Sequence, residues 1–188
     1  MTAGDVIAWL EAQASEAHRA SLARYGIPRE NALGVPMGVM KKKARSIGPT
    51  HETALALWQR GGYEARIMAA HLAAPETTGA ATMAAWASDF DSWAICDTCC
   101  YQLFSKAPPR WDMLKPWAIN DQEFVKRAAF ALIWALTRHD KTARDQAFEA
   151  TFPMIQSAAR DPRPLVHKAV DMALRAIGKR NGNLHRSA

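Results

Sequence analysis

Short segments rich in helix-forming residues, separated by breaks that contain glycine and proline, follow one another along the whole sequence. Ala, Leu, Met, Gln, Glu, Lys and Arg dominate these segments, and these residue types favour α-helices. No run alternates Val, Ile or Thr over the length of a strand. The pattern predicts an all-α fold, since only helices match it. Helices are expected at residues 4–24, 37–46, 51–60, 63–74, 77–87, 91–104, 111–118, 122–137, 142–158 and 163–178.

An internal repeat links three of these helices, "YEARIMAAHLA", "EFVKRAAFALIWAL" and "PLVHKAVDMALRAI". In each, an apolar or aromatic residue precedes a basic residue that opens an Ala-rich apolar stretch, and Arg66, Arg127 and Lys168 occupy similar places. Helix pairs recur at roughly 30–40 residues, near the period of HEAT-like repeats. Such repeats stack into a right-handed solenoid whose concave face is built from the second helix of each pair. Because the repeat lengths are irregular, a plain helical bundle is the alternative.

Length and composition indicate one ordinary globular domain over residues 1–188. The chain is 49% hydrophobic and 22% charged, and it contains no linker or low-complexity tract. It has no apolar run of about 18 residues that would predict a transmembrane helix. The first residues show neither a basic region nor a long apolar core, so no signal peptide is predicted. We therefore expect a cytoplasmic protein, a monomer, with no membrane partner.

The net charge of +6 is concentrated in two segments. Residues 24–45 hold six basic side chains and one acidic one, and residues 160–188 hold seven and two. The rest of the chain holds eleven basic and fifteen acidic residues. A fold that brought the two segments together would have a polyanion-binding face. The alternative is that these residues are solvated helix ends that serve solubility.

All three cysteines lie in the segment "DSWAICDTCC", residues 91–100. A zinc site needs about four ligands, and no second Cys pair or closely spaced His pair accompanies them. A redox pair would be expected where a strand leads into a helix, and no strand is predicted. Cys96, Cys99 and Cys100 are therefore interpreted as core residues, and no metal or cofactor is expected.

Trp93 and Asp97 stand four residues apart in the same segment, which places them on one face of a helix. Aspartate is unfavourable inside a helix and is seldom buried without a partner. An indole beside a carboxylate, opposite basic residues, would let an ionised acid face a cation. The alternatives are a solvated Asp97 beside a core tryptophan, or a helix that Asp91 caps.

Basic residues on later and earlier helices are candidates for phosphate contacts. The guanidinium group binds phosphate in a bidentate manner and is always charged. Arg127 and Arg175 would face the same surface as Asp97 if the repeats are in register. The alternative is that these arginines extend from the edge of the core into solvent. The runs "GVMKKKAR" and "IGKRNGN" add further candidates, namely Lys41, Lys42, Lys43, Lys179 and Arg180.

Five segments together resemble the DNA alkylation repair family, the AlkD-type alkylpurine DNA glycosylases built from HEAT-like repeats. They are "LGVPMGVMKKKAR", "ALALWQRGGYEARIMAAHLA", "DFDSWAICDTCC", "EFVKRAAFALIWAL" and "VHKAVDMALRAIGKRN". They cover most of the chain in the family's order.

The resemblance implies a function. Family members cradle duplex DNA on a concave basic face and excise cationic purines, chiefly 3-methyladenine and 7-methylguanine. They hydrolyse the N-glycosidic bond without flipping the base into a protein pocket. The resemblance places the catalytic Asp and its Trp at Asp97 and Trp93. It places DNA- or lesion-binding residues at Arg127, Arg175 and, at the least securely aligned end, Tyr25.

Two departures from the family pattern affect this expectation. Met172 stands where well-known members have a tryptophan, so an aromatic contact with sugar or lesion is replaced by a thioether. Family members also continue for a further helical repeat, so the last cap of the solenoid is expected to be missing. Both favour the alternative of a non-enzymatic HEAT-like protein that binds branched or damaged DNA. A protein interaction scaffold is a third possibility.

Overall fold

The structure, a computed structural model, describes all 188 residues. It contains thirteen α-helices, three 3₁₀-helices and no strand, which confirms the all-α prediction. Two compact units are distinguished, Met1–Thr78 and Gly79–Ala188. The single-domain arrangement, the right-handed solenoid and its concave basic face stay predictions. No helix combines the length and the apolar composition needed to span a membrane.

The first unit contains five α-helices. They are α1 (Ala3–Ala12), α2 (Glu16–Leu22), α3 (Met37–Ile47), α4 (His51–Arg60) and α5 (Tyr63–Leu72), with 3₁₀-helices at Ala23–Tyr25 and Pro75–Thr77. The backbone N–H of Thr50 donates to the carbonyl of Leu72 at 2.8 Å, so the beginning of α4 meets the end of α5. The two helices are therefore antiparallel, as expected for one helical repeat.

A buried glutamate holds the loop before α3 in the first unit. The carboxylate of Glu64, whose residue is 1% exposed, accepts the backbone N–H groups of Leu33, Gly34 and Val35 at 2.9, 2.7 and 3.2 Å. Gly34 has φ +81°, and a Cβ there would lie 2.2 Å from the carbonyl oxygen of Ser15. A glycine is therefore required at this point.

The second unit contains eight α-helices. They are α6 (Ala80–Ser88), α7 (Trp93–Gln102), α8 (Leu114–Ala118), α9 (Glu123–His139), α10 (Asp145–Glu149), α11 (Phe152–Ala158), α12 (Pro164–Gly178) and α13 (Gly182–Ser187), with a 3₁₀-helix at Phe104–Lys106. Helix α9 is the centre of this unit, because α7, α8 and α12 all pack on it. Its residues Phe130, Leu132 and Ile133 are fully buried.

Helices α7, α9 and α12 run parallel to one another. The Sγ atoms of Cys96 and Cys100 lie 3.6 and 3.5 Å from the carbonyls of Phe124 and Ala128, so positions on α7 and α9 advance together. Arg127 near the start of α9 bonds the start of α12, and Arg180 just after α12 bonds the end of α9. A layer of parallel helices is the arrangement expected when the second helices of successive repeats stack.

Three predicted helices differ from those observed, two of them for a local reason. The segment 4–24 is interrupted after Gln13, because Ser15 caps a new helix and accepts the N–H of His18 at 3.3 Å. The segment 142–158 divides into α10 and α11, where Pro153 lies in the first turn of the second helix. In the segment 111–118 only Leu114–Ala118 is α-helical. Helix α13 was not predicted.

Candidate functional site

Helix α7 begins in a way that fixes Trp93 and Asp97. The side chain of Ser92 accepts the backbone N–H of Ile95 at 3.4 Å, so Ser92, and not Asp91, is the N-cap. Trp93 is the first helical residue and Asp97 follows one turn later; both are half-buried. The two side chains therefore lie on the same partly exposed face of α7, as their spacing predicts.

The cysteines of α7 lie in the core. None of the three forms a disulfide, and all three are fully buried. Burial raises the pKa of the Cys96 and Cys100 thiols, which keeps both neutral. Their contacts with the carbonyls of α9 join the two helices, so the cysteines of this segment help to position Asp97.

Asp97 is held by a single arginine of the neighbouring helix. Arg127 donates from Nε to Oδ1 at 2.9 Å and from Nη2 to Oδ2 at 2.7 Å. Its Nη1 donates to the carbonyl of Leu165, in the first turn of α12, at 2.6 Å. The Arg127 side chain is 4% exposed and that of Asp97 is 18% exposed. The guanidinium thus fixes the carboxylate between three helices while it is itself almost inaccessible.

Burial raises the pKa of Asp97 above its ordinary value, while the hydrogen bonds from Arg127 and the charges of Arg127 and Lys168 act in the opposite direction. Asp97 in turn raises the pKa of the already strongly basic Arg127 against the effect of burial. Two cations therefore favour the ionised carboxylate, Arg127 through direct hydrogen bonds and Lys168 through its charge.

Two other aspartates of the second unit with little exposed side chain, Asp161 and Asp140, are also paired with arginine, and each has more donors than Asp97. Asp161 accepts the backbone N–H, Nε and Nη2 of Arg163 and the ammonium of Lys126, at 3.1, 2.8, 2.7 and 2.9 Å. Asp140 accepts five hydrogen bonds from four residues, namely Arg110, Trp111, Thr142 and Ala143. Asp97 accepts only two.

The residues predicted on α12 lie on its solvent side. Met172 is half-buried. The side chain of Arg175 is 72% exposed and its Nε donates to Oδ1 of Asp171 at 2.8 Å. This pair is a surface i, i+4 contact that adds little to stability. Arg175 is therefore accessible to an anion, which would have to replace Asp171 as its partner.

The two basic residues at the end of α12 differ from each other. Lys179 is exposed. Arg180 lies over the ring of Phe148 at 4.6 Å and donates to the carbonyls of Thr137 and Ala143 at 3.3 and 2.8 Å. Its guanidinium caps the end of α9. Arg180 is therefore engaged within the protein and is not a proposed DNA contact.

The other predicted contacts belong to the first unit. Tyr25 is 64% exposed in its 3₁₀-helix. Lys41, Lys42 and Lys43 lie on α3, and the ammonium of Lys43 lies 5.3 Å from the centre of the Trp9 ring. Their roles in DNA binding stay predictions.

Within the second unit the structure places Arg127 in contact with Asp97 and adds Lys168, whose charge lowers the pKa of Asp97 and which sequence reasoning did not name as a site residue. The signal for Lys168 was present, because it occupies the same place in its repeat as Arg127. The burial of Glu64 in the first unit was not predicted.

Comparison with known proteins identifies the family. The family model described as "DNA alkylation repair enzyme" matches residues 6–188. The chain belongs to this family. No curated protein matches the sequence significantly. A solved structure of "a new family of proteins related to the HEAT-like repeat DNA glycosylases with affinity for branched DNA structures" superposes with a TM-score of 0.87 at 21% identity, covering 99% of this chain and 80% of that chain. The chain of the DNA alkylation repair family thus has the HEAT-like all-α fold.

Proposed function

We propose that this member of the DNA alkylation repair family is a glycosylase that hydrolyses the N-glycosidic bond of cationic alkylated purines in duplex DNA. The substrates would be 3-methyladenine and 7-methylguanine. The observation that carries the proposal is the state of Asp97, which is fixed by two hydrogen bonds from Arg127 and retains an accessible side chain. An ionised carboxylate has about four acceptor positions, so two remain for other groups.

The chemistry needs such a carboxylate and little else from the protein. A purine alkylated on a ring nitrogen already carries a positive charge. When the bond from C1′ to the purine nitrogen breaks, its electron pair leaves with the base and neutralises that charge. No general acid is required. The sugar becomes an oxocarbenium-like cation, and a negative charge fixed beside it lowers the barrier by electrostatic preorganisation. Water then adds to C1′ and loses a proton, which Asp97 can accept.

Trp93 would lie against the sugar or the lesion beside Asp97, and Met172 would contribute a softer surface from α12. Normal purines are neutral and leave slowly, so lesion charge can supply selectivity without a shaped pocket. On this basis the base is not flipped into the protein. Neither a metal nor another cofactor takes part in this scheme.

The role of Arg127 in this proposal differs from the phosphate contact expected from sequence. Its guanidinium binds Asp97 and the Leu165 carbonyl, and the Arg127 side chain is 4% exposed. Arg127 therefore acts as a positioning residue for Asp97. The proposed contacts with the DNA are therefore Arg175, Lys179, Tyr25, Lys41, Lys42 and Lys43. We further propose that the protein acts as a cytoplasmic monomer.

Release of 7-methylguanine and 3-methyladenine from methylated duplex DNA, measured by chromatography of the free bases, tests the proposal. Time-dependent release above the spontaneous rate is expected, with Asp97→Asn as the matched variant. If wild-type protein binds the duplex and releases neither base, the proposal is wrong.

The alternative function is non-enzymatic binding of branched DNA. It is favoured by Met172 in place of the family tryptophan and by the affinity for branched DNA of the family to which the similar solved structure belongs. Binding to a four-way junction at least tenfold tighter than to the same sequences as linear duplex, without base release, would support it.

A further inference from the structure

Lys168 has a distinctive position on α12. It lies one turn after Leu165, whose carbonyl Arg127 binds, and one turn before Met172. The residue is exposed, and its ammonium forms neither an ion pair nor a hydrogen bond with the protein. It is nevertheless close enough to Asp97 for its charge to lower the pKa of that carboxyl. A lysine with an uncommitted ammonium thus lies one helical turn from the Leu165 carbonyl, which is bound by the same arginine that binds Asp97.

Four other cations of the second unit are committed to protein groups. Arg127 binds Asp97, while Lys126 and Arg163 both bind Asp161. Arg175 pairs with Asp171. Lys179 is uncommitted, but it lies eleven residues further along α12, a rise of about 16 Å.

The reacting sugar has a phosphate on each side, and both are anionic. A carboxylate placed against C1′ therefore meets two like charges across a short distance, and their repulsion weakens binding unless a cation intervenes. Arg127 does not supply that cation, because its side chain is only 4% exposed. A lysine on a flexible stem can bind a phosphate as a point charge and leave Asp97 ionised.

We propose that Lys168 binds a phosphodiester oxygen next to the nucleotide whose sugar faces Asp97. This inference rests on the proposed function only in that DNA binds with a sugar at Asp97. It assigns to Lys168 the phosphate contact that the sequence suggested for Arg127. The site takes a DNA phosphate and needs no damaged base.

The first measurement is binding to a duplex that carries one tetrahydrofuran abasic analogue, which cannot be cleaved by a glycosylase. Lys168→Met removes the charge and keeps the apolar stem. The control is Lys115→Met, because Lys115 is equally an exposed lysine of the second unit but lies on α8. Fluorescence anisotropy at several salt concentrations should show that the Kd of Lys168→Met at low salt is about fivefold to tenfold higher than that of wild type. The slope of log Kd against log salt should become smaller by about one, with no change for Lys115→Met.

The second measurement identifies the phosphate. Single methylphosphonates, which are neutral, are placed in turn at the phosphates around the tetrahydrofuran site. In wild type and in Lys168→Arg, neutralising one phosphate adjacent to that site should weaken binding. In Lys168→Met that same substitution should have almost no effect, whereas substitutions elsewhere should act as in wild type. Such coupling at one position is what a direct contact produces.

Each outcome has a distinct meaning. Retained DNA binding with additive effects at every phosphate would overturn the assignment of Lys168 and leave the proposed glycosylase unaffected. Coupling in a protein that never releases a base would support Lys168 and remove the proposed excision. Absence of binding to any of these duplexes would overturn both.

Discussion

Asp97 and Asp161 each accept two hydrogen bonds from one guanidinium, but they differ in the number of further hydrogen-bond donors. Asp161 also receives a backbone N–H and the ammonium of Lys126, and the pKa of its carboxyl is far below the ordinary value, chiefly through Arg163. Asp97 receives nothing more. Burial there outweighs the cations and the pKa is raised.

The difference shows how one kind of ion pair serves two purposes. A carboxylate with four donors is stabilised in its ionised form and ties together the chain segments that supply them. Asp161 does this for the start of α12 and for α9. A carboxylate with two donors is also held in place, but its ionised form keeps acceptor positions without a hydrogen-bond donor. A developing positive charge on a bound sugar would supply the missing interaction, which is the property that electrostatic catalysis requires.

The largest expected effect is on excision by Asp97→Asn. The amide keeps nearly the same shape but cannot offer a full negative charge to the sugar. Release of 7-methylguanine under single-turnover conditions should slow by about a hundredfold, the scale for loss of one preorganised contact. Binding to undamaged duplex should be unchanged or slightly tighter, because a charge that repels phosphate has gone. An unchanged excision rate would show that Asp97 does not act electrostatically.

The next effect is on stability, in Asp161→Asn. This variant leaves Lys126 and Arg163 without their shared counter-charge at a site where the Asp161 side chain is 4% exposed. The free energy of unfolding should fall by about 2 kcal/mol, as for lost charge-assisted hydrogen bonds. Urea denaturation followed by circular dichroism measures it. Excision per folded molecule should hardly change. A large loss of excision with unchanged stability would contradict the division of roles between the two aspartates.

Arg127→Lys should have a smaller effect, and one that separates positioning from phosphate binding. Lysine retains the positive charge, but its single ammonium cannot make the bidentate contact with Asp97 and also bind the Leu165 carbonyl. The rate of the chemical step of excision should fall by about tenfold, because Asp97 is less well fixed. The salt dependence of DNA binding should stay as in wild type. A smaller salt slope would instead assign Arg127 to a phosphate.

Much of this arrangement follows from local sequence. Helix formers and Gly or Pro breaks predicted the all-α fold and most of the helices, and the spacing of Trp93 and Asp97 predicted their common face. The bond between Asp97 and Arg127 was not predictable, since it depends on how α7 and α9 align across thirty residues. The same is true of Arg180, whose carbonyl partners come from the end of α9 and the loop after it. The alignment of helices that are distant in sequence decides which charged side chains are bound to other protein groups, and a single sequence does not reveal that alignment.

The smallest expected effect is a displacement of the acid limb of the pH–rate profile. Excision requires ionised Asp97, and because burial raises its pKa, activity should be lost on acidification at a pH above 3.8, the ordinary carboxyl value. The charged groups that face Asp97 are Arg127 on α9 and Lys168 on α12, while the neighbouring Cys96 and Cys100 of α7 are neutral. Lys168 lowers the pKa of Asp97, so Lys168→Met should move the limb to still higher pH, whereas Lys115→Met should not.

The fold should withstand this titration. The pKa of Asp140 is lowered to about 2, because the hydrogen bonds from Trp111, Thr142 and Arg110 outweigh the effect of burial, and that of Asp161 is lowered further. A carboxylate with a depressed pKa contributes stability above its unfolded value, and this contribution is lost only as the pH falls through the folded value. Both ion pairs therefore persist while Asp97 takes up its proton. Single-turnover release of 7-methylguanine between pH 4 and 8, corrected for spontaneous loss and paired with circular dichroism at each pH, measures the limb. A limb that coincides with unfolding, or that does not move in Lys168→Met, would show that it does not report Asp97.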